Sequence, residues 1–203
     1  MAFNFFRRNL NERERAVADR LPPGQYLTEK WPVLHYGNVP KVSLDTWDFK
    51  LSGEIEAPRT FTYAEFKTLP RKEVTADIHC VTRWSLLDST WSGVPVAEVM
   101  KLITLKPEAT HVMVHAEHGF TANLSLADFL RDENMLVDVR NGEPITAEHG
   151  WPVRLFVPHL YFWKSAKWVR GLEFLNADRP GFWEQYGYHM HGDPWHEERY
   201  GWQ

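Results

Sequence analysis

Residues 142–169 read GEPITAEHGWPVRLFVPHLYFWKSAKWV and contain the two clearest strand signals in this chain of 203 residues. The apolar run at 153–157 predicts a buried strand, and a second strand is predicted over 168–175. The rest of the fold is predicted around these two strands.

The same stretch places cations among apolar residues. Arg154, Lys164 and Lys167 lie in or beside the two predicted strands, and Ser165 adds a hydroxyl group. A fixed charge in apolar surroundings is costly unless an anion pairs with it. Cations and a hydroxyl group so close together are typical of a site for a phosphate group. The alternative is that the lysines extend their ammonium groups to solvent, and this stretch alone does not separate the two interpretations.

Alternation of apolar residues predicts five further strands. They lie near residues 47–55, 74–80, 111–115, 120–124 and 135–139. Asn141 and Gly142 predict a turn between the strands at 135–139 and 153–157.

Short helices are predicted between these strands. Thr62 and Glu65 have capping-box spacing, Pro95 suits a first helical position, and Ser125 suits an N-cap. Strands and short helices interleave without regular βαβ alternation, a phosphate-loop motif or an internal repeat. We therefore predict a single domain of the mixed α+β class.

Length and composition define the expected organisation. A chain of 203 residues can bury a large core in one domain. Residues 1–30 are polar and predict an N-terminal arm, whereas residues 31–203 form the predicted domain and end in an aromatic, His-rich tail. Ten Trp, seven Tyr and twelve Phe indicate a tightly packed interior, a ligand pocket with flat walls, or both.

Charge and hydropathy exclude several classes of partner. The net charge is −4 and the pI is about 6.2, so a nucleic-acid partner is not expected. No apolar run is long enough to cross a membrane. Arg7 and Arg8 form a twin arginine, but a polar segment follows where an export signal requires an apolar one. A chain that naturally begins here is expected to be cytoplasmic.

Cys80 is the one cysteine, which excludes an intramolecular disulfide and a multi-cysteine metal site. It lies in HCVTRWS, residues 79–85, at the end of a predicted strand and near Arg83, which we expect to lower the pKa of the thiol. One interpretation is a nucleophile with His79 or His35 as base. Another is a single thiolate ligand of a soft metal, and the third is an inert buried thiol.

The tail offers a second candidate metal site. His189 and His191 are two residues apart, and Glu197 or Asp193 would complete a zinc or iron site. No helical HExxH pattern accompanies them, so we expect most of the ten His residues to be surface or hydrogen-bonded core residues.

Several segments in the same order resemble the molybdopterin-binding domain of the sulfite oxidase family, which includes sulfite oxidases, plant-type nitrate reductases and bacterial protein-methionine-sulfoxide reductases. The resemblance runs from about residue 31 to residue 188. It rests on WDFKLSGEIEAP at 47–58, on HCVTRWS followed by WSGVPVAEVM at 91–100, and on residues 142–169 with their HGxPVR motif. It implies a single α+β domain of that family's type, in a compact bacterial sulfite oxidase-like protein.

The resemblance also implies roles for individual residues. Cys80 corresponds to the catalytic cysteine that binds molybdenum, the other sulfur ligands being those of one molybdopterin, a pyranopterin dithiolene. Tyr188 corresponds to an active-site tyrosine by its distance from the basic loop. The implied cofactor-binding residues are His35, Arg83, His149, Arg154, Lys164, Ser165 and Lys167.

The sequence departs from the family pattern at two positions. Sulfite oxidases bind their dianionic substrate with arginines, and Val33 and Ser85 stand where two of these are expected, although Arg83 could replace one. A weakly cationic pocket binds sulfite poorly. We therefore expect oxygen-atom transfer to or from another small substrate, such as an S-oxide or N-oxide, with electrons exchanged with a separate redox protein.

The alternatives are a non-catalytic domain that binds cofactor or partner, and a cysteine hydrolase or His-metal enzyme, which would leave HGxPVR unexplained.

Overall fold

A computed structural model describes residues 10–202, so the twin arginine at Arg7 and Arg8 lies outside the described residues. The strands in this range are β1 (Tyr26–Leu27), β2 (Asp48–Gly53), β3 (Arg59–Thr62), β4 (Lys72–His79), β5 (Trp84–Pro95), β6 (His111–Ala116), β7 (Thr121–Ser125), β8 (Met135–Arg140), β9 (Glu143–Pro144), β10 (Arg154–Phe156) and β11 (Val169–Leu175). The α-helices are α1 (Glu12–Ala16), α2 (Tyr63–Lys67), α3 (Val96–Met100), α4 (Leu126–Phe129) and α5 (Phe182–Gln185). None of the helices between residues 10 and 202 has the length and apolar character that a membrane crossing requires.

Six strands form the larger sheet, in which β5 is the central element. The order is β1-β5-β8-β10, with β4 also paired to β5 and β9 to β8. The whole length of β4 pairs antiparallel with β5. β1 pairs in parallel with the first residues of β5, and β8 pairs antiparallel with the last residues of β5. The turn that carries Cys80 joins β4 to β5, so this sheet fixes the position of the thiol.

The smaller sheet has five strands in the order β3-β2-β11-β6-β7. β2 and β11 are parallel, and the other neighbours are antiparallel. Apolar residues of both sheets share one core: Leu136 and Leu155 of the larger sheet belong to the same buried cluster as Phe49, Val114 and Leu172 of the smaller one. Because one core holds both sheets, the prediction of a single α+β domain is confirmed.

A second buried cluster includes Cys80 itself. It joins Ile78 of β4 and Trp91 of β5 to Phe156 of β10 and to the loop residues Phe162 and Trp163. Trp91 and Phe156 are fully buried and stacked, with ring centroids 4.6 Å apart. Burial of large aromatic side chains is a major source of stability, so this cluster stabilises the region around Cys80.

Most predicted elements are found close to the expected positions, but β5 was missed. β5 begins directly after Arg83, which has φ 79°, and it contains Asp88, which has φ 54°. The left-handed conformation at Asp88 interrupts the alternation of buried and exposed residues by which a strand is identified from sequence. The Asn141-Gly142 turn exists, but it leads into the short β9 rather than directly into β10. The capping box at Thr62 and Glu65 forms as predicted and begins α2.

The first and last described segments pack against the rest of the domain. Residues 10–30, which the sequence set apart as a polar arm, contribute β1 to the larger sheet and bury the side chains of Glu14 and Gln25. The aromatic tail follows α5, and Tyr188 forms an isolated bridge with Tyr200. Residues of both described terminal segments therefore contact the β4–β5 hairpin.

Candidate active site

Cys80 lies in a tight turn between β4 and β5. Its amide donates to the carbonyl of Trp84 at 2.9 Å, and its own carbonyl accepts from the amide of Arg83 at 2.9 Å. The Thr82 hydroxyl donates to Cys80 Sγ at 3.2 Å. Only 9% of Cys80 is exposed, and burial raises the pKa of the thiol. Hydrogen bonds from Thr82, and then the charge of Arg199, oppose this rise in the pKa; Arg83 is not among its causes.

Cys80 lines a cavity of about 320 Å³. This volume lies at the lower end of the range of small-molecule sites. Ten of the lining residues are Phe, Trp or Tyr, so the aromatic content does serve a flat-walled pocket as well as the core. Six of the residues expected from the resemblance line it together: His35, Cys80, Arg154, Ser165, Lys167 and Tyr188.

Arg154 is a buried cation in β10. Its guanidinium donates to the carbonyls of His149 and Ser165, both at 2.8 Å. The Nε atom is buried and has no hydrogen-bond partner among the described residues. Burial lowers the pKa of Arg154 to about 9, so the side chain stays charged at neutral pH. Carbonyl oxygens carry only partial negative charge, so a guanidinium group bonded to carbonyls alone still favours binding of an anion.

Lys167 is the second cation in the cavity wall. Its ammonium group donates to the carbonyls of Leu34 and Glu148, at 2.7 and 2.5 Å. Burial, together with repulsion from Arg154, lowers the pKa of Lys167 to about 7. An anion bound beside it would favour the charged form and raise this pKa again.

His149 lies behind the cavity wall, because it is not among the described lining residues. Its Nδ1 atom is 3.0 Å from the Thr146 hydroxyl, and its Nε2 atom is buried without a partner in residues 10–202. Trp31, which does line the cavity, stacks on the imidazole at a centroid distance of 3.7 Å. Burial lowers the pKa of His149 to about 4, with Lys167 and Arg154 adding to the shift, so the ring is neutral at pH 7.

Lys164, which the resemblance implies is a cofactor-binding residue, is not among the described residues that line the cavity. Its fully buried ammonium group pairs with Glu184 at 2.7 Å and donates to the Asn123 side chain at 2.8 Å and the Met190 carbonyl at 2.6 Å. The alternative that both lysines extend to solvent is also wrong here. Burial lowers the pKa of Lys164, and the charge of Glu184 opposes that shift.

Three other expected residues differ in exposure. His35 is exposed and lines the cavity mouth, with its ring 5.8 Å from that of Trp168. Tyr188 lies between Trp163 and Trp183, each with its ring centroid 5.1 Å away, and burial raises its pKa. Arg83 is exposed and is not one of the described residues that line the cavity, so it does not replace a substrate-binding arginine there.

The two positions that lack arginines differ in what surrounds them. Val33 is 48% exposed at the surface. Ser85 is fully buried, and its hydroxyl is 2.8 Å from His79 Nδ1. Neither residue lines the cavity. Among the described residues that line the cavity, Arg154 is therefore the one arginine and Lys167 the one lysine.

Of the two candidate bases, His35 lines the cavity with Cys80, but its Nδ1 atom is 2.9 Å from the Gly37 carbonyl and the hydrogen bond described at the thiol comes from Thr82. His79, the other candidate base, is buried, and burial lowers its pKa to about 4; it does not line the cavity with Cys80. His189 and His191 both face Glu198, at 3.4 and 2.7 Å. No group of three or more His, Cys, Asp or Glu with metal-binding geometry exists within residues 10–202.

Sequence patterns do not point to Trp31, Gln25 or Arg199 as residues of the site. Gln25 Nε2 donates to the Cys80 carbonyl at 2.9 Å, and Arg199 Nη1 donates to the Val81 carbonyl at 2.8 Å. Both side chains are 2% exposed. Nothing in the local sequence indicates these contacts, because each joins segments that are more than fifty residues apart.

Comparison with known proteins agrees with this geometry. A family model described as the oxidoreductase molybdopterin binding domain matches residues 36–183. An uncharacterised oxidoreductase of Bacillus subtilis, YuiH, is 46% identical over 191 residues, which cover 94% of this chain and 96% of that protein.

More distant relatives are larger proteins. A putative protein-methionine-sulfoxide reductase subunit of Azospira oryzae, YedZ1, is 26% identical over 84% of this chain and 66% of its own length. The crystal structure of the sulfane dehydrogenase SoxCD from Paracoccus pantotrophus matches with a TM-score of 0.65 and 23% identity, over 70% of this chain and 41% of that one. The fold is therefore shared with that structure.

Proposed function

The chain belongs to the molybdopterin-binding oxidoreductase family, and from this premise we propose that it transfers an oxygen atom to or from a small, uncharged substrate such as an S-oxide or an N-oxide. The family assignment agrees with the resemblance found in the sequence. The observation that carries the proposal is the convergence of Cys80, Arg154 and Lys167 on one aromatic cavity.

The cavity residues fit the family's cofactor, molybdenum held by a molybdopterin. A thiolate is the soft donor that such a metal requires, and Cys80 supplies it. Arg154 and Lys167 suit the anionic groups of the pterin, since their hydrogen bonds now end on carbonyls and one guanidinium nitrogen has no partner within the described residues. Ser165 adds a polar group in the same wall.

When bound, the cofactor supplies a two-electron redox centre that accepts and donates oxygen atoms. The protein controls what surrounds it. The raised pKa keeps the free Cys80 thiol protonated, so Cys80 would lose this proton when it binds the metal as a thiolate. Tyr188 presents a neutral hydroxyl beside the cavity, because burial raises its pKa. Trp84 and Trp163 in the wall limit the entry of water.

The cavity wall favours an uncharged substrate. Its Arg and Lys side chains are the ones assigned to the cofactor, and Val33 and Ser85 do not contribute charge to the described wall. Aromatic side chains bind apolar groups and reject a strongly hydrated dianion, whose desolvation would be uncompensated. Reduction of an S-oxide consumes two electrons and two protons and yields a thioether and water. The electrons would come from a separate redox protein.

The first test is metal content. Protein from a host that makes the cofactor is expected to contain about one molybdenum per chain, and the Cys80→Ser variant should fold but lose it. Lys167→Met should also lose cofactor, whereas Lys164→Met, three residues away, should keep it in the folded fraction. Normal molybdenum in the Cys80 variant would refute the ligand assignment.

The second test is turnover with a reduced viologen dye as artificial electron donor. Methionine sulfoxide, dimethyl sulfoxide and trimethylamine N-oxide should oxidise the dye, and sulfite should be a poor electron donor to the oxidised protein. Sulfite oxidation as the fastest reaction would contradict the proposal. Full molybdenum content without turnover of any of these compounds would favour the non-catalytic binding domain.

A further inference from the structure

Two segments outside the residues matched by the family model meet at the Cys80 turn. The guanidinium of Arg199, in the C-terminal tail, donates through Nη1 to the Val81 carbonyl at 2.8 Å and through Nη2 to the Pro23 carbonyl at 3.2 Å. One side chain therefore links the tail, the N-terminal segment and the residue that follows Cys80.

The N-terminal segment holds the same turn independently. Gln25 Nε2 donates to the carbonyl of Cys80 itself. The amide of Tyr26 donates to the Arg83 carbonyl at 2.8 Å, and the amide of Thr28 donates to the Ser85 carbonyl at 2.9 Å. The N-terminal segment thus binds backbone carbonyls at Cys80 and on the C-terminal side of it, and Cys80 itself lines the cavity.

Arg199 is an unusual residue to find in this position. It is 2% exposed and lies over the ring of the fully buried Tyr161, with its Cζ atom 4.9 Å from the centroid. Its nearest described carboxylate, on Glu197, is 3.8 Å away and about half exposed. A buried cation held mainly by carbonyls stabilises a fold less well than an apolar side chain of similar volume. Arg199 contributes by fixing positions, since its planar guanidinium group binds two carbonyls at the same time.

We propose that Arg199 is a positioning residue for the metal-binding cysteine, and that it holds the Cys80 turn in place through the Val81 and Pro23 carbonyls. The role rests on the proposed function, in which Cys80 is the molybdenum ligand. It makes the C-terminal tail a part of the active site, although Arg199 itself does not line the cavity.

The test compares Arg199→Met with Arg20→Met in the full-length chain. Methionine keeps much of the packing on Tyr161 but cannot donate to either carbonyl. Arg20 is a matched control, because it binds the same hairpin through Asp77 and Asp88 at the surface. In cofactor-free protein, amide hydrogen exchange across residues 80–85 should speed up about tenfold or more in Arg199→Met. Exchange in β6 should not change in either variant.

A spectroscopic readout distinguishes positioning from general stability. In cofactor-loaded protein, the thiolate-to-molybdenum charge-transfer absorption should shift in Arg199→Met and stay unchanged in Arg20→Met. If Arg199→Met does not fold, Arg199→Gln, which cannot span both carbonyls, is measured by the same criteria. Unchanged exchange in the turn together with an unchanged absorption band would overturn the inference.

The two proposals fail in different ways. Retention of molybdenum by Cys80→Ser would remove the ligand assignment, whatever the exchange rates of the turn. Loss of molybdenum by Cys80→Ser with an unaltered turn in the Arg199 variants would leave the proposed function intact and refute the positioning role alone.

Discussion

The indole ring of Trp31 lies on the imidazole of His149, with ring centroids 3.7 Å apart and planes inclined by 22°. Trp31 lines the cavity and His149 does not, so the indole covers the histidine of the HGxPVR motif. Arg140 and Arg154 place their guanidinium carbons 4.9 and 5.3 Å from the centroid of the same indole. Trp31 therefore joins the coil before β2 to the wall that carries Arg154, as the Leu34 carbonyl joins it to Lys167.

Removal of this ring should expose His149. In Trp31→Ala, the pKa of His149 is expected to rise from about 4 toward the ordinary value of about 6.5, because burial is the main cause of its depression. The lost aromatic contacts should cost about 2 kcal/mol of unfolding free energy. NMR titration of the imidazole measures the pKa. Trp202→Ala, which truncates a 74% exposed ring, is the control, and an unmoved His149 pKa in Trp31→Ala would contradict the assignment.

Stability should fall in mild acid. His79 and His149 both have pKa values lowered to about 4 in the folded protein, below the value of about 6.5 in an unfolded chain. Between these values the unfolded state binds more protons, so their contribution is present above about pH 6.5 and is lost as the pH falls toward 4. Melting temperatures at pH 7 and pH 5 measure the effect. His79→Asn should reduce the difference between them; an identical difference in the variant would argue against a role for His79.

Lys164 should matter for stability rather than for cofactor binding. Lys164→Met leaves Glu184 buried without its cation and is expected to cost about 3–5 kcal/mol. The double variant Lys164→Met/Glu184→Met should recover much of this loss, because the uncompensated charge is gone. Urea unfolding of the three proteins measures the cycle. A double variant no more stable than the single one would show that the pair is not the source of the effect.

His191 should stabilise the tail in its charged form. Hydrogen bonding to Asp128, then to Glu198, raises the pKa of His191 to about 9. Its contribution is therefore complete below the unfolded value of about 6.5 and is lost as the pH rises through 9. Because the ring is partly exposed, His191→Asn should lower the melting temperature by only about 2–4 °C at pH 6, and not at pH 10. Equal effects at both pH values would rule out the charge as the cause.

The sequence predicted the strands and helices whose signals are local. The apolar alternation gave β2, β4, β6 and β7, and the capping box gave the start of α2, because both depend on residues within a few positions of one another. β5 was missed because its regular pattern is broken at Asp88, where the backbone adopts a left-handed conformation that the pairing with β4 tolerates.

For the site, the sequence by itself determined which residue types were present: one cysteine, the HGxPVR motif and the cations of the following loop. The tertiary structure alone decided which cations face the cavity. Lys164 and Lys167 are three residues apart, yet Lys164 meets Glu184 and Asn123 in the interior while Lys167 lines the cavity beside Cys80. The partners of a buried charge come from segments distant in the chain, and local sequence does not specify which segments will meet. Arg199 reaches the Cys80 turn from more than a hundred residues away for the same reason.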